Sequence, residues 1–379
     1  MISRRTWVPL AAIGFAKTLR AQKELTVAGK KPLLVLNDFP EDLETPAEYF
    51  DRWITPNDVF FVRQHLPRPK MDPSSYRLEI SGMVGSPVQL SLEELRKLPQ
   101  TTVVATLECA GNGRSYYRPR MPGLPWSKGA IGNAEWRGPR ISDLLKKAGG
   151  VASGAQYGTF DGADVGLAQT PDFIRSVPVR KLLHPATILA LEMNGEPLPE
   201  LHGFPARLVV PGWDGASWVK WVTKIVLSEK PDSGFYMATA YKYPRRLTPP
   251  GVPPRPEEME SIEGMAVKSF FTKPAREAKF KLGPVLLQGV AWAGEHRVLR
   301  VEVSVDGGAS WRQARLSPQN LPFAWRLWSF EWTPRAPGYY LACVRATDSA
   351  GRTQPIEAPW NPSGYLWNSI ERIGLLVEA

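Results

Sequence analysis

Cysteine is scarce in this chain: 379 residues contain two, Cys109 and Cys343. Two cysteines cannot build a disulfide framework, a four-cysteine zinc site or an iron–sulfur cluster. The four histidines, His65, His184, His202 and His296, are scattered and include no His-x-x-x-His pair, so a zinc hydrolase has no ligand set. A Gly-x-Ser-x-Gly elbow and a haem-attaching Cys-x-x-Cys-His are both missing. Gly111-Asn-Gly113 starts like a dinucleotide fingerprint, but Tyr116 stands where its third glycine belongs. The 32 glycines follow no three-residue period, which excludes collagen. No run of lysine and arginine interleaved with aromatics argues for nucleic acid.

Proline, by contrast, is abundant, at 37 residues. It implies many turns and few long helices. A hydrophobic share of 43% is enough for the cores of two or three domains. Part of the net charge of +10 lies at the N-terminus. There Arg4-Arg5 precedes a short apolar stretch, Trp7 to Ala16, too short to span a bilayer. Residues 1–24 resemble a twin-arginine signal. The expectation is export of a folded, cofactor-loaded protein to the periplasm, with no stable membrane span once the signal is removed. The remainder stays modestly basic, as suits an anionic ligand or an acidic partner.

Three further segments follow. Residues 25–244 mix strands with short helices, such as Ser91 to Leu98 behind a serine cap and Ile141 to Ala148 before Gly149-Gly150. Ala186 to Met193 reads as one strand entering an Asn194-Gly195 turn. Residues 245–260 are proline-rich and are expected to form a stiff extended linker. Residues 261–379 alternate apolar and polar positions, as in Val298-Leu-Arg-Val-Glu-Val-Ser-Val305 before Asp306-Gly307, and read as an all-β immunoglobulin-like sandwich. The fold class is therefore α+β. Cys343, inside one of these strands, reads as a small buried hydrophobe.

One motif stands out: Thr106-Leu-Glu-Cys109-Ala-Gly-Asn-Gly-Arg114, a cysteine after an apolar strand and before a Gly/Asn turn ending in arginine. A thiolate near a guanidinium is a metal ligand or nucleophile. A buried structural cysteine followed by a turn reads equally well from these residues alone.

The surrounding blocks resemble the sulfite oxidase family, in the family's order. They are Asn57-Asp-Val-Phe-Phe-Val-Arg63-Gln-His65, the Cys109 motif, Gly123-Leu-Pro-Trp126, His202-Gly-Phe-Pro-Ala-Arg207 and Ser217-Trp-Val-Lys220. The resemblance implies a mixed α/β molybdopterin-binding catalytic domain and a C-terminal dimerisation domain. It implies the molybdenum–molybdopterin cofactor, with Cys109 as the molybdenum ligand. Phe61, Arg63, His65, Asp164, His202, Arg207, Ser217, Trp218, Val219 and Lys220 would bind the pterin and its phosphate. The substrate pocket would hold Arg63, Arg114, Trp126 and Tyr241. The implied reaction is oxidation of sulfite to sulfate by oxygen-atom transfer, with electrons leaving to an external acceptor such as cytochrome c, in a homodimer.

Two positions depart from the family pattern. Ser363, in Trp360-Asn-Pro-Ser-Gly364, stands where sulfite-oxidising members usually carry an arginine, and Pro122 stands where many carry a lysine. Fewer cations leave open another oxyanion, or the same scaffold run as a nitrate or sulfoxide reductase. A non-enzymatic exported binding protein is the remaining alternative.

Overall fold

The computed structural model describes residues 26–379, so the expected signal lies outside the described residues. Among these, no helix is long and apolar enough to cross a membrane.

Two sheets frame the N-terminal domain. A five-stranded sheet runs in the order Val88–Ser91, Arg77–Gly82, Val222–Ser228, Tyr157–Gly162, Arg175–Pro178. Arg77–Gly82 and Val222–Ser228 pair in parallel. In a four-stranded sheet, Gln100–Glu108 lies antiparallel to Ile131–Pro139 over nine residue pairs. The apolar β-branched run Thr102 to Leu107 thus forms a long strand whose last residue, Glu108, leads directly into Cys109. Leu92–Lys97 is helical: the Ser91 side chain accepts from the Glu94 amide, and the Glu94 carboxylate caps Ser91 in return. Leu92 and Leu95 are its buried face.

The expected strand over 186–193 is split. Ile188–Ala190 pairs with Arg207–Val209, whereas Glu192–Met193 pairs with Ile131–Pro139 and, around Asn194-Gly195, with Glu196–Pro197. Between them the Leu191 amide donates to Arg137 O, and there the chain changes sheets. Asn194 and Gly195 both take positive φ, as that two-residue turn requires.

The C-terminal domain is a sandwich of a four-stranded and a five-stranded sheet. Val298–Ser304 and Gly338–Asp348 pair antiparallel in the larger one. Val301, Val303, Val344 and Leu375 from this sheet meet Phe271, Leu287 and Trp328 from the other in one core. Cys343, between the core-facing Ala342 and Val344, is fully buried.

The proline-rich stretch is not an extended spacer. Lys242–Pro244 pairs with Met259–Ser261, so the prolines occupy the closed loop of a two-stranded ribbon. The two domains also share core. Phe50 and Ile131 pack with Met265, Phe270, Trp292 and Trp325 in a single buried cluster. Trp325 donates its amide to Thr106 Oγ1 at 2.9 Å, tying the sandwich to the strand that carries Cys109.

Candidate active site

Cys109 sits at the end of its strand, its amide donating to Ala130 O at 2.9 Å and its carbonyl accepting from the Asn112 amide at 2.8 Å. The tight loop behind it depends on glycine. Gly113 has φ +93°, and a Cβ there would lie 2.8 Å from the Trp367 ring. The half-buried Cys109 opens onto a cavity. Burial pushes the thiol's pKa up, while Arg63 and Arg114 pull it down.

The cavity gathers most of the sequence candidates: Phe61, Arg63, His65, Cys109, Asp164, His202, Arg207, Trp218, Lys220 and Tyr241. Near the thiol, Arg63 donates to Asp42 Oδ1 at 3.2 Å and to Gln64 O. Burial disfavours its charge, but Asp42, Tyr241 and Cys109 together hold its pKa above the ordinary value. Tyr241 Oη lies 2.6 Å from His65 Nε2. Burial pushes Tyr241 well above its ordinary pKa and His65 well below, so the pair is uncharged at neutral pH. Phe173 stacks on the His65 ring at 4.2 Å and Arg175 lies 5.1 Å from the Tyr241 ring centre. Tyr241 itself is held at φ +54°.

A second group of lining residues forms a cationic pole. Arg207 donates to His202 O at 3.0 Å and Trp218 O at 3.1 Å, and Lys220 donates to Leu201 O at 3.3 Å. All these acceptors are neutral carbonyls. Burial lowers the Arg207 pKa to about 9 and, with Arg207 beside it, the Lys220 pKa to about 7. Asp164 feels the Lys220 charge and is itself pushed up to about 6, chiefly by burial.

Four sequence candidates stand elsewhere. Arg114 is off the cavity. Its Nε donates to Ser363 O at 2.9 Å, its Nη1 to Leu124 O at 3.0 Å, and its guanidinium lies 5.1 Å from the Tyr365 ring centre. Two of its five N–H donors thus brace the loop, while its charge still reaches the Cys109 thiol. Trp126 is wholly buried and packs edge-on to Phe61 at 6.3 Å, so it supports the cavity wall without lining it. Ser217 is buried, with its amide donating to Asp214 O, and the Trp218 amide donates to Gly215 O. Those two backbone donors are consumed by a 3₁₀ turn. Val219 is buried packing.

Sequence reading missed Asp42, Phe173 and Arg175, whose roles arise from contacts between distant segments. It also missed the clamp beneath the cysteine. Glu108 is 6% exposed and accepts from Lys268 Nζ and Asn112 Nδ2 at 2.9 Å each and from Trp292 Nε1 at 2.8 Å.

The profile of the oxidoreductase molybdopterin binding domain matches residues 65–236, and that of the Mo-co oxidoreductase dimerisation domain matches 259–377. Chicken (Gallus gallus) sulfite oxidase is 38% identical, the match covering 88% of this chain and 76% of that protein. The chain belongs to the sulfite oxidase family. It is thereby a molybdenum-dependent oxidoreductase, and the non-enzymatic reading falls. Human mitochondrial sulfite oxidase is 35% identical, over 92% of this chain and 66% of the human protein. The crystal structure of the sulfane dehydrogenase SoxCD from Paracoccus pantotrophus superposes with a TM-score of 0.79 at 29% identity, covering 98% of this chain and 97% of that one.

The family's cofactor, molybdenum–molybdopterin, fits what the cavity offers. The thiol is a soft sulfur ligand for the metal. Arg207 and Lys220 donate to carbonyls and form no ion pair among the described residues; Asp164 and Asp42 act on Lys220 only at a distance, which leaves the pole able to take an anion such as a phosphate. Arg207 Nε and Gln64 Oε1 are buried without a protein partner, as donors and acceptors reserved for a polar ligand would be.

Proposed function

We propose that this enzyme oxidises sulfite to sulfate. The carrying observation is that one cavity is lined both by Cys109 with Arg63 and by the His202–Arg207–Lys220 cluster. Cys109 would hold the molybdenum, and the pole would hold the phosphate of the pterin. Asp164, His65 and the free Gln64 Oε1 provide polar partners along the pterin. When bound, this cofactor supplies oxygen-atom transfer and two-electron redox chemistry.

The chain's own residues then have three tasks. Arg63 holds the substrate oxyanion beside Cys109, its orientation set by Asp42, so that one charged donor faces the ligand without reorganising. Tyr241, hydrogen-bonded to His65, offers a protonated phenol to the same anion. Phe61, Phe173 and Trp218 exclude water and so strengthen both contacts. The test is sulfite-dependent reduction of ferricyanide, expressed per molybdenum atom in the sample. Saturable turnover is expected; molybdenum without turnover would overturn sulfite as the substrate.

A second reading has one specific observation behind it. With Arg114 tied to Ser363 O and no arginine at 363, Arg63 is the arginine nearest the thiol on the cavity wall. That favours a sulfur substrate of lower charge than free sulfite, and the Paracoccus relative carries the name sulfane dehydrogenase. Turnover of a thiosulfate-linked thiol in place of sulfite would establish it. The reductive direction draws support from barley nitrate reductase, 32% identical over 86% of this chain, though the match spans 39% of that longer protein. Nitrate-driven oxidation of a reduced dye tests it.

We also infer a periplasmic homodimer that passes electrons to cytochrome c. The twin-arginine-like N-terminus supports export, and the dimerisation-domain match supports the dimer. Tyr339 and Leu341 project from one face of Gly338–Asp348 and are exposed, as an apolar dimer contact needs. A monomer in sedimentation at micromolar concentration would overturn the dimer. Absence of cytochrome c reduction under sulfite turnover would overturn the acceptor.

A further inference from the structure

The segment 26–31 leads a lysine into the cationic pole. The chain turns at Gly29, which has φ +76°, with Lys30 N donating to Val27 O at 3.0 Å and Lys31 N donating to Asp58 O at 2.9 Å. Lys31 points outward to pair with one oxygen of the half-buried Asp58 carboxylate at 3.0 Å. Lys30 points the other way. Its Nζ donates to Asn57 O at 2.5 Å and Phe60 O at 2.8 Å and lies 2.7 Å from His202 Nε2.

No carboxylate lies within ion-pair distance of Lys30 among the described residues. Its partners are two carbonyls and a ring nitrogen, the same neutral company kept by Arg207 and Lys220. His202 joins the two settings: it lines the cofactor cavity and touches Lys30, which lines a separate polar cleft shared with Asn57 and Glu200. Lys30 and His202 together form the partition between cavity and cleft. Burying a third cation against this pole is unfavourable unless an anion is present to share.

We propose that Lys30 is an anion-binding residue of the cofactor cavity: with His202 it closes the pole and adds a third cation to Arg207 and Lys220 around the terminal phosphate of the pterin. This rests on the cofactor assignment above. Burial lowers Lys30 to about 7 although the Asp58 carboxylate draws it up, and a phosphate at the pole restores its charge. A phosphate monoester ends at this wall, whereas a cofactor extended through a diphosphate would have to displace Lys30 to reach the cleft.

The experiment uses full-length holoenzyme with Lys30→Met, which keeps the apolar stem, and Lys30→Arg, which keeps the charge. Molybdenum and organic phosphate are counted per protein, and cofactor release is followed after dilution at low and high salt. Lys30→Met is expected to release the cofactor about 10- to 100-fold faster, the range of one charge-assisted contact. Its release should depend less on salt, and Lys30→Arg should stay near wild type. The holoenzyme should also lose more stability than the cofactor-free protein. Release from Lys30→Met at the wild-type rate, or equal destabilisation of the holo and cofactor-free forms, would reduce Lys30 to a structural prop and overturn the inference. Wild-type protein purified without molybdenum or organic phosphate would instead overturn the cofactor assignment, and this inference with it.

Discussion

Lys268 of the β-sandwich donates to Glu108 at 2.9 Å, one residue before Cys109 and 160 positions away in sequence. Lys268 also donates to Asn112 O at 3.0 Å, and Trp292 of the same domain donates to the other Glu108 oxygen. The sandwich therefore anchors both sides of the cysteine loop. Because the pair is buried and Glu108 is fully bonded, removing one partner strands a charge. Lys268→Met should destabilise the protein by about 3–5 kcal/mol. Glu108→Gln combined with Lys268→Met should recover part of that, since the unpaired carboxylate is gone. Denaturant unfolding of the two single variants and the double variant measures the coupling. Additive effects would mean that the pair does not act as a unit.

Cys109→Ser should abolish sulfite-dependent dye reduction while leaving the fold intact. The side chain is half-buried, and the loop's hydrogen bonds use backbone atoms that serine retains. Circular dichroism and the unfolding midpoint should match wild type. Residual turnover near the wild-type rate would remove Cys109 from the metal site.

The two arginines of the original pocket assignment should separate in kinetics. Arg63→Met removes a cation on the cavity wall and should raise KM for sulfite about 10- to 100-fold, the range of a charged hydrogen bond. Arg114→Met removes two contacts to carbonyls of the loop at Leu124 and the segment at Ser363. It should lower the unfolding midpoint and kcat, with KM less affected. A pure KM effect in Arg114→Met would return that arginine to the substrate.

The difference between these arginines shows what a sequence does and does not carry. Strands written as alternation, such as Val298–Ser304, and the helix written as a capping box at Ser91 were legible because their causes are local. The motifs around Cys109, His202, Arg207 and Lys220 located much of the cavity lining. What stayed hidden depends on chain segments far apart. Arg114 meets Ser363 across 249 positions, and Lys30 meets His202 across 172. Trp126 lies in a motif block beside the site, yet it faces the core, because motif membership does not specify which way a side chain packs. The split of 186–193 between two sheets was equally invisible, since one apolar run serves both pairings.

The cationic pole makes a signed prediction about pH. In the cofactor-free protein Lys220 titrates near 7, far below the 10.5 of an exposed lysine. Between those values the unfolded chain binds more protons than the folded one, so stability rises with pH across that window. The penalty is fully present below about 7 and gone above the unfolded value. The contribution is at most about 1.4 kcal/mol per pH unit. Asp164 and Arg207 share the field, so Lys220→Met, which removes the titrating group, should flatten the rise. Sulfate, whose charge is constant over this range, is a suitable probe of the pole. An anion raises the lysine pKa, so binding takes up protons and sulfate affinity should fall as pH goes from 7 to 9. Calorimetry in buffers of different ionisation enthalpy counts those protons directly. Sulfate binding without proton uptake would mean that Lys220 is already charged in the empty pole, and that burial alone does not set its state.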